Sequence, residues 1–299
     1  MHEALQMRSI ATAVLCAAAL SSSQALAEEG PGTDRTANPI AQHLQAMSRA
    51  QPPHNVTTLG NVRFVLGNEV WQPGQQFKAG RDWLALACDA KGCVLEPAIL
   101  SVKQEFWQGH YDDKPTFGQR LSFRRNSGSG GPVLVWFHVA AAPAWLKPGT
   151  VPTYYSPQHP LKQPIGRGSL EVTIDLPNGE NAILVPMLLT AELMHQLMPG
   201  NSGDESSYLL QLRVQGRRQL LLGSLGACSY TFHPRKYLQW ACDLDRDGKP
   251  DFLVSFIDAD GPVHLYLSST AKPGQLVDLA GVYMSAPFGG ECDGPGGWE

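Results

Sequence analysis

From Val62 onward the chain is a succession of short β-prone runs cut by turn residues, and this spacing constrains its fold more than any other feature. Asn61 to Leu66, Trp83 to Ala87, Val94 to Val102, Gln119 to Phe123 and Val133 to Val139 are rich in β-branched and aromatic side chains, which suit a pleated, half-buried surface. Between them stand Gly67-Asn68, Gln72-Pro73-Gly74, Asp112-Asp113 and Ser127-Gly128-Ser129-Gly130-Gly131, where glycine and proline punctuate the chain. The pattern resumes further on. Ser169 to Asp175 and Asn181 to Met187 flank Leu176-Pro177-Asn178-Gly179-Glu180, and Asn-Gly is a strong hairpin signal. Tyr208 to Val214 and Gln219 to Leu225 surround Gln215-Gly216, Phe252 to Ile257 pairs with Val263 to Leu267, and Leu276 to Met284 is the last strand. The expected fold is mainly β, with antiparallel sandwich or barrel-like sheets in one or two β domains. One or two short helices are expected beside them. Ile40, Leu44 and Met47 lie at helical spacing after Asn38-Pro39, and Leu188 to Met198 runs up to Pro199-Gly200.

The N-terminus has the make-up of an export signal. Arg8 supplies positive charge, Ile10 to Leu20 is an apolar core too short to span a bilayer, and Ala25-Leu26-Ala27 is a small-x-small cleavage site. Cys16 follows Leu15, where a lipoprotein signal needs a small residue, so lipid anchoring is not expected. No later segment is apolar enough to cross a membrane, so the expected location is periplasmic or secreted. The expected organisation is a signal over residues 1–27, a flexible lead with a short helix over 28–57, and an N-terminal β domain over 58–147. A Pro/Gly-rich linker or crossover over 148–168 and a C-terminal β domain over 169–299 follow. The formal net charge is −4, and the basic residues cluster only as Arg124-Arg125 and Arg217-Arg218, which excludes a nucleic-acid partner.

In an exported chain, cysteines read first as disulfide candidates. Cys88 and Cys93 flank the turn sequence Asp89-Ala90-Lys91-Gly92, so a bridge across a hairpin neck is expected. Cys228 and Cys242 are expected to close a second loop, with Cys292 left over in a glycine-rich tail. The spacings do not repeat and no histidine falls at zinc-finger spacing, which disfavours zinc.

The chemistry concentrates in Asp243-Leu244-Asp245-Arg246-Asp247-Gly248-Lys249-Pro250-Asp251. Alternate residues of a tight loop can turn their side chains toward one centre, and calcium takes six to eight oxygen ligands. Asp243, Asp245 and Asp247 offer carboxylates, Lys249 its backbone carbonyl, and Asp251 a ligand given directly or through water. Gly248 stands where the chain must turn sharply. The twelfth position is Val254 rather than glutamate, and Phe252 to Ile257 reads as a strand, so the loop is not an EF-hand. Asp-Leu-Asp-Arg-Asp-Gly-Lys-Pro-Asp-Phe-Leu-Val resembles the calcium loop of FG-GAP and VCBS-type repeats. The resemblance covers about fifteen residues and a single copy, where propellers repeat the unit. It implies calcium held by the aspartates at 243, 245, 247 and 251, with a strand following, and hence a structural calcium ion.

A catalytic constellation is not legible. Gly200-Asn201-Ser202-Gly203 resembles the nucleophile segment of trypsin-like proteases, but His110, His138, His159 and His195 lack the context that family requires. Glu105, Asp112 and Asp113 lie near Phe106, Trp107 and Tyr111, an arrangement seen in carbohydrate hydrolases and, far more often, on ordinary strand edges. Trp107, Trp136 and Trp145 are candidates for a sugar-stacking platform, although tryptophan stands more often in a core or at its edge. The expectation is an exported, calcium-stabilised β protein with a non-enzymatic binding or scaffolding role at the cell envelope, its ligand a protein or a carbohydrate. The alternative is a secreted hydrolase acting on polysaccharide.

Overall fold

The computed structural model describes residues 58–60, 62–67, 69–74, 76–108, 114–126, 131–139, 143–159, 161, 171–189, 207–225, 237–255 and 262–283. The signal, the lead and the helix expected within residues 1–57 lie outside them, as do Cys228 and Cys292.

Three antiparallel sheets hold the strands of the described residues. The first contains β2 (Phe64–Val65), β3 (Glu69–Pro73), β4 (Gly80–Asp89), β5 (Gly92–Trp107), β6 (Thr116–Arg125), β7 (Val133–His138) and β8 (Gly149–Val151). Its strand order is β2-β7-β4-β5-β6-β3, with β8 added to the start of β5, and it curls as a half-barrel. The second contains β10 (Val172–Asp175), β11 (Asn181–Leu189), β12 (Ser207–Val214) and β13 (Arg217–Leu225) as a simple meander. The third joins distant parts of the chain: β1 (Thr58–Gly60), β9 (Thr153–Tyr155), β14 (Leu238–Cys242), β15 (Asp251–Ser255), β16 (Val263–Leu267) and β17 (Asp278–Tyr283). Their order across the sheet is β1-β17-β16-β15-β14-β9.

The third sheet is covered on both faces, and its sequence reflects this. Trp240, Cys242, Leu253, Leu265 and Leu267 enter a core shared with Trp83, Leu86, Leu100, Leu121, Trp136 and Phe137 of the half-barrel. Their neighbours Ala241, Phe252, Val254 and Tyr266 enter a second core with Val172, Ile174, Leu184, Leu210 and Leu212 of the meander. A strand packed on both faces has no solvent side, so β15 and β16 are buried at every position and read as near-continuous apolar runs rather than alternating ones.

The hairpins follow their turn chemistry. Gln215 and Gly216 both have positive φ (52° and 74°), the backbone of the tight two-residue turn that joins β12 to β13. Cys88 and Cys93 lie directly opposite each other across the β4–β5 neck and form a disulfide. In the chain-entropy account a loop this short contributes about 2 kcal/mol. Reduction should therefore lower the urea midpoint by an amount equivalent to that figure, and an unchanged midpoint would refute it. Two expectations are corrected. Leu188 and Leu189 finish strand β11 rather than opening a helix, and the rest of that expected helix lies outside the described residues. Cys242 is a buried free thiol on β14, so the bridge to Cys228 is not made. Residues Gly149–Val151 and Thr153–Tyr155, within the Pro/Gly-rich stretch, form β8 and β9 and so tie the half-barrel to the doubly covered sheet.

Candidate metal centre

The acidic loop is the connection from β14 to β15, so both of its ends are fixed by strands that pair with one another (Cys242 opposite Asp251). One carboxylate oxygen each from Asp243, Asp245 and Asp247 lies within 4.8 Å of the others, a group able to hold a metal ion. The loop bonds to itself in the manner of successive aspartate turns. Asp245 Oδ1 accepts from the Asp247 N–H at 3.2 Å, and Asp247 Oδ1 accepts from the Lys249 N–H at 2.9 Å. Gly248 takes φ = 86° and donates its N–H to Asp243 Oδ2 at 3.0 Å. The left-handed conformation turns the chain back so that this N–H reaches the first aspartate.

Asp243 carries the strongest indication of a cation. The residue is only 5% exposed, and its Oδ1 is buried without any hydrogen-bond partner. A buried carboxylate oxygen left unmatched costs roughly 1–3 kcal/mol or more. A cation placed among the three carboxylates would satisfy it. Burial, followed by the charges of Asp247 and Asp245, raises the Asp243 pKa, against the lowering effect of the Gly248 and Asp247 N–H groups. Burial and then the charges of Asp243, Cys242, Asp251 and Asp247 push the Tyr154 phenol upward as well. The negative potential of this corner is therefore felt beyond the loop.

Asp251 stands apart from the group of three. It is fully buried, and both of its oxygens are engaged within the protein. Oδ2 accepts the N–H of Leu244 at 2.7 Å and that of Asp245 at 3.4 Å. Oδ1 accepts the Ser268 N–H at 2.8 Å and the Ser268 hydroxyl at 3.1 Å. Burial pushes its pKa well up, with Asp245 adding repulsion, despite those hydrogen bonds. Lys249 places its ammonium 3.4 Å from Asp247 Oδ2.

Two site residues were not legible as such in the sequence. The turn after β16 supplies Ser268, whose hydroxyl also reaches Asp247 Oδ1 at 3.0 Å, and Ser269, whose hydroxyl donates to Asp245 Oδ2. They stand about twenty residues from the loop, and only the β15–β16 pairing brings them alongside it. No local spacing could have marked them.

The candidate catalytic groups fare differently. Burial raises the Glu105 pKa, but the hydrogen bonds and charges of Arg120 and Lys103 outweigh it and hold the group below its ordinary range. Arg120 Nε lies 2.6 Å from Glu105 Oε1, so this carboxyl is ion-paired on the strand. Asp112, Asp113 and the 200–203 segment lie outside the described residues. His138 Nε2 is hydrogen-bonded to Asp82 Oδ2 at 2.7 Å and packs against Trp83, while His159 Nδ1 lies 3.0 Å from the Ala90 carbonyl. The three-tryptophan platform is not assembled. Trp136 is 2% exposed and stacks on Phe123 inside the half-barrel core. Trp107 instead meets Trp71, with ring centroids 5.2 Å apart. Gly118 makes that meeting possible, since a Cβ there would sit 2.5 Å from the Trp71 ring. Among the described residues no helix is long and apolar enough to cross a membrane.

Comparison with protein families, with curated proteins and with solved structures gave no match. The likeness to FG-GAP and VCBS-type loops therefore rests on the acidic cluster and its β setting alone.

Proposed function

We propose that this chain is an exported β protein, stabilised by a structural calcium ion, with a non-enzymatic binding or scaffolding role at the cell envelope. The observation that carries the reading is the carboxylate group of Asp243, Asp245 and Asp247 with its unmatched buried Oδ1. Hard carboxylate oxygens suit calcium, and the Lys249 carbonyl and Asp251, directly or through water, are the further ligands of the proposal. Disulfides persist in oxidising compartments, so the Cys88–Cys93 bridge supports a periplasmic or secreted location.

Calcium that binds the folded chain alone stabilises it by mass action. With the Kd of about 10⁻⁴–10⁻³ M common to extracellular sites, millimolar calcium adds about 0.5–1.5 kcal/mol. For a chain of this size that is a rise in melting temperature of about 1–5 °C. Asp245→Ala should abolish the rise. A melting curve that ignores both added calcium and its chelation would refute the site.

A further inference from the structure

We infer that the acidic loop, when it holds its cation, locks through Arg246 the crossover that joins the half-barrel to the doubly covered sheet. The inference rests on the calcium reading above. Arg246 stands between Asp245 and Asp247. When alternate residues turn inward to a shared centre, the residue between them is turned outward. Arg246 adopts φ = 62°, a left-handed backbone that costs a non-glycine residue about 1–2 kcal/mol, so something must hold it there.

Its side chain provides the hold. Nε donates to the Thr150 carbonyl at 3.3 Å, Nη1 to the Trp145 carbonyl at 3.4 Å and Nη2 to the Lys147 carbonyl at 3.2 Å. One guanidinium thus gathers three backbone acceptors from a segment about a hundred residues earlier. Gly149 lies under it, with Nη2 3.4 Å from where a Cβ would stand. The loop grips the same segment a second time, through the Asp243 N–H to the Pro152 carbonyl at 2.8 Å. That segment leads into and includes β8 and runs on to β9, which pair with β5 and with β14 respectively. Thr150 to Thr153 also wall a groove of about 270 Å3 opposite Asp89 and Lys91 of the disulfide hairpin, so the lock fixes one side of that groove.

Without a cation the three carboxylates repel one another and loosen the turn that aims Arg246. With one, the turn closes and the guanidinium is presented to its carbonyls. Coupling of this kind is reciprocal: if the ion tightens the grip, losing the grip weakens the ion by the same factor.

The test uses the full mature chain, with calcium binding followed by calorimetry and amide exchange followed by mass spectrometry. Calcium should slow exchange at Gly149 to Tyr155 in the wild type. Arg246→Ala should remove most of that slowing and weaken calcium binding about fivefold or more, the lower range of allosteric coupling. Arg246 is solvent-exposed, so the variant should fold. Arg246→Lys, which keeps the charge and loses the three-way fork, should retain only part of the response. Calcium binding with unchanged exchange at these amides, or an Arg246→Ala response equal to wild type, overturns the lock and leaves the calcium site standing. Absence of calcium binding to the wild type overturns both.

Discussion

Replacing Asp251 with alanine should destabilise the protein by about 3 kcal/mol, measured by urea unfolding in the presence of a chelator. The change strands the N–H groups of Leu244 and Ser268, both directed at one buried carboxylate, and leaves the Ser268 hydroxyl only Asp247 as an acceptor. Each unmatched buried donor costs roughly 1–3 kcal/mol, and relief of the carboxylate's own desolvation returns part of the total. Asp245→Ala in the same chelator should cost under about 1 kcal/mol, because that side chain is only half-buried. The contrast separates a carboxylate that builds the loop from one whose value depends on a cation. Equal costs for the two substitutions would refute the division.

The same residue sets a pH dependence whose sign can be worked out. The folded pKa values of Asp251 and Asp243 are raised, so the folded state binds their protons more tightly than the unfolded chain does. Their contribution to stability is therefore present at low pH and lost as pH rises from the ordinary carboxyl range, near ~4, through the folded values. Glu105, with its lowered pKa, contributes in the opposite sense, its stabilisation being lost as pH falls. Subtracting the Asp251→Ala curve from the wild type isolates the Asp251 part. In chelator that difference should shrink from pH 4 to 7, and calcium should flatten the slope by favouring the ionised carboxylates. A difference that grows with pH in chelator would refute the argument.

The legibility of this chain followed the physics of its strands. β4 to β7, the meander hairpins and the apolar runs of β15 and β16 announced themselves through β-branched residues between turns. β14 did not, because Leu238-Gln239-Trp240-Ala241-Cys242 is short and a bulge between Leu238 and Trp240 breaks its alternation. β3 ends in Gln72-Pro73, which reads as a turn; it is an edge strand, where proline is tolerated. β8 and β9 are three residues each, separated by Pro152, and exist through pairing with β5 and β14 rather than through propensity. The site divides in the same way. The aspartate spacing is local and was readable, whereas Ser268, Ser269 and the reach of Arg246 depend on which strands lie side by side. Trp136 takes the core place that is the commoner one for tryptophan, and the sugar-stacking alternative falls because the half-barrel packs that face inward.

Gly131→Ala should be the costliest single methyl in the described structure, at about 3–5 kcal/mol. A Cβ at Gly131 would overlap the Cys88 carbonyl oxygen, stand 2.7 Å from the carbonyl carbon and approach Asp89 Cα to 3.2 Å. All three are backbone atoms of a strand that cannot swing aside like a flexible side chain. Cys88 is held on its other side by the disulfide to Cys93, and its own N–H donates to the Pro132 carbonyl at 3.1 Å. The strain must therefore lift the start of β7 off β4, and that breaks the Pro132 bond and leaves a buried N–H unmatched. Overpacking alone costs about 1–3 kcal/mol, and the orphaned N–H adds a comparable amount. Reducing the disulfide frees Cys88 to shift, so the variant should lose less than the wild type on reduction. In the variant the disulfide would also hold the clash in place, which offsets part of its stabilisation of the fold. A urea midpoint equal to wild type would show that the β4–β7 approach is looser than described, and an additive loss on reduction would show that the bridge plays no part in it.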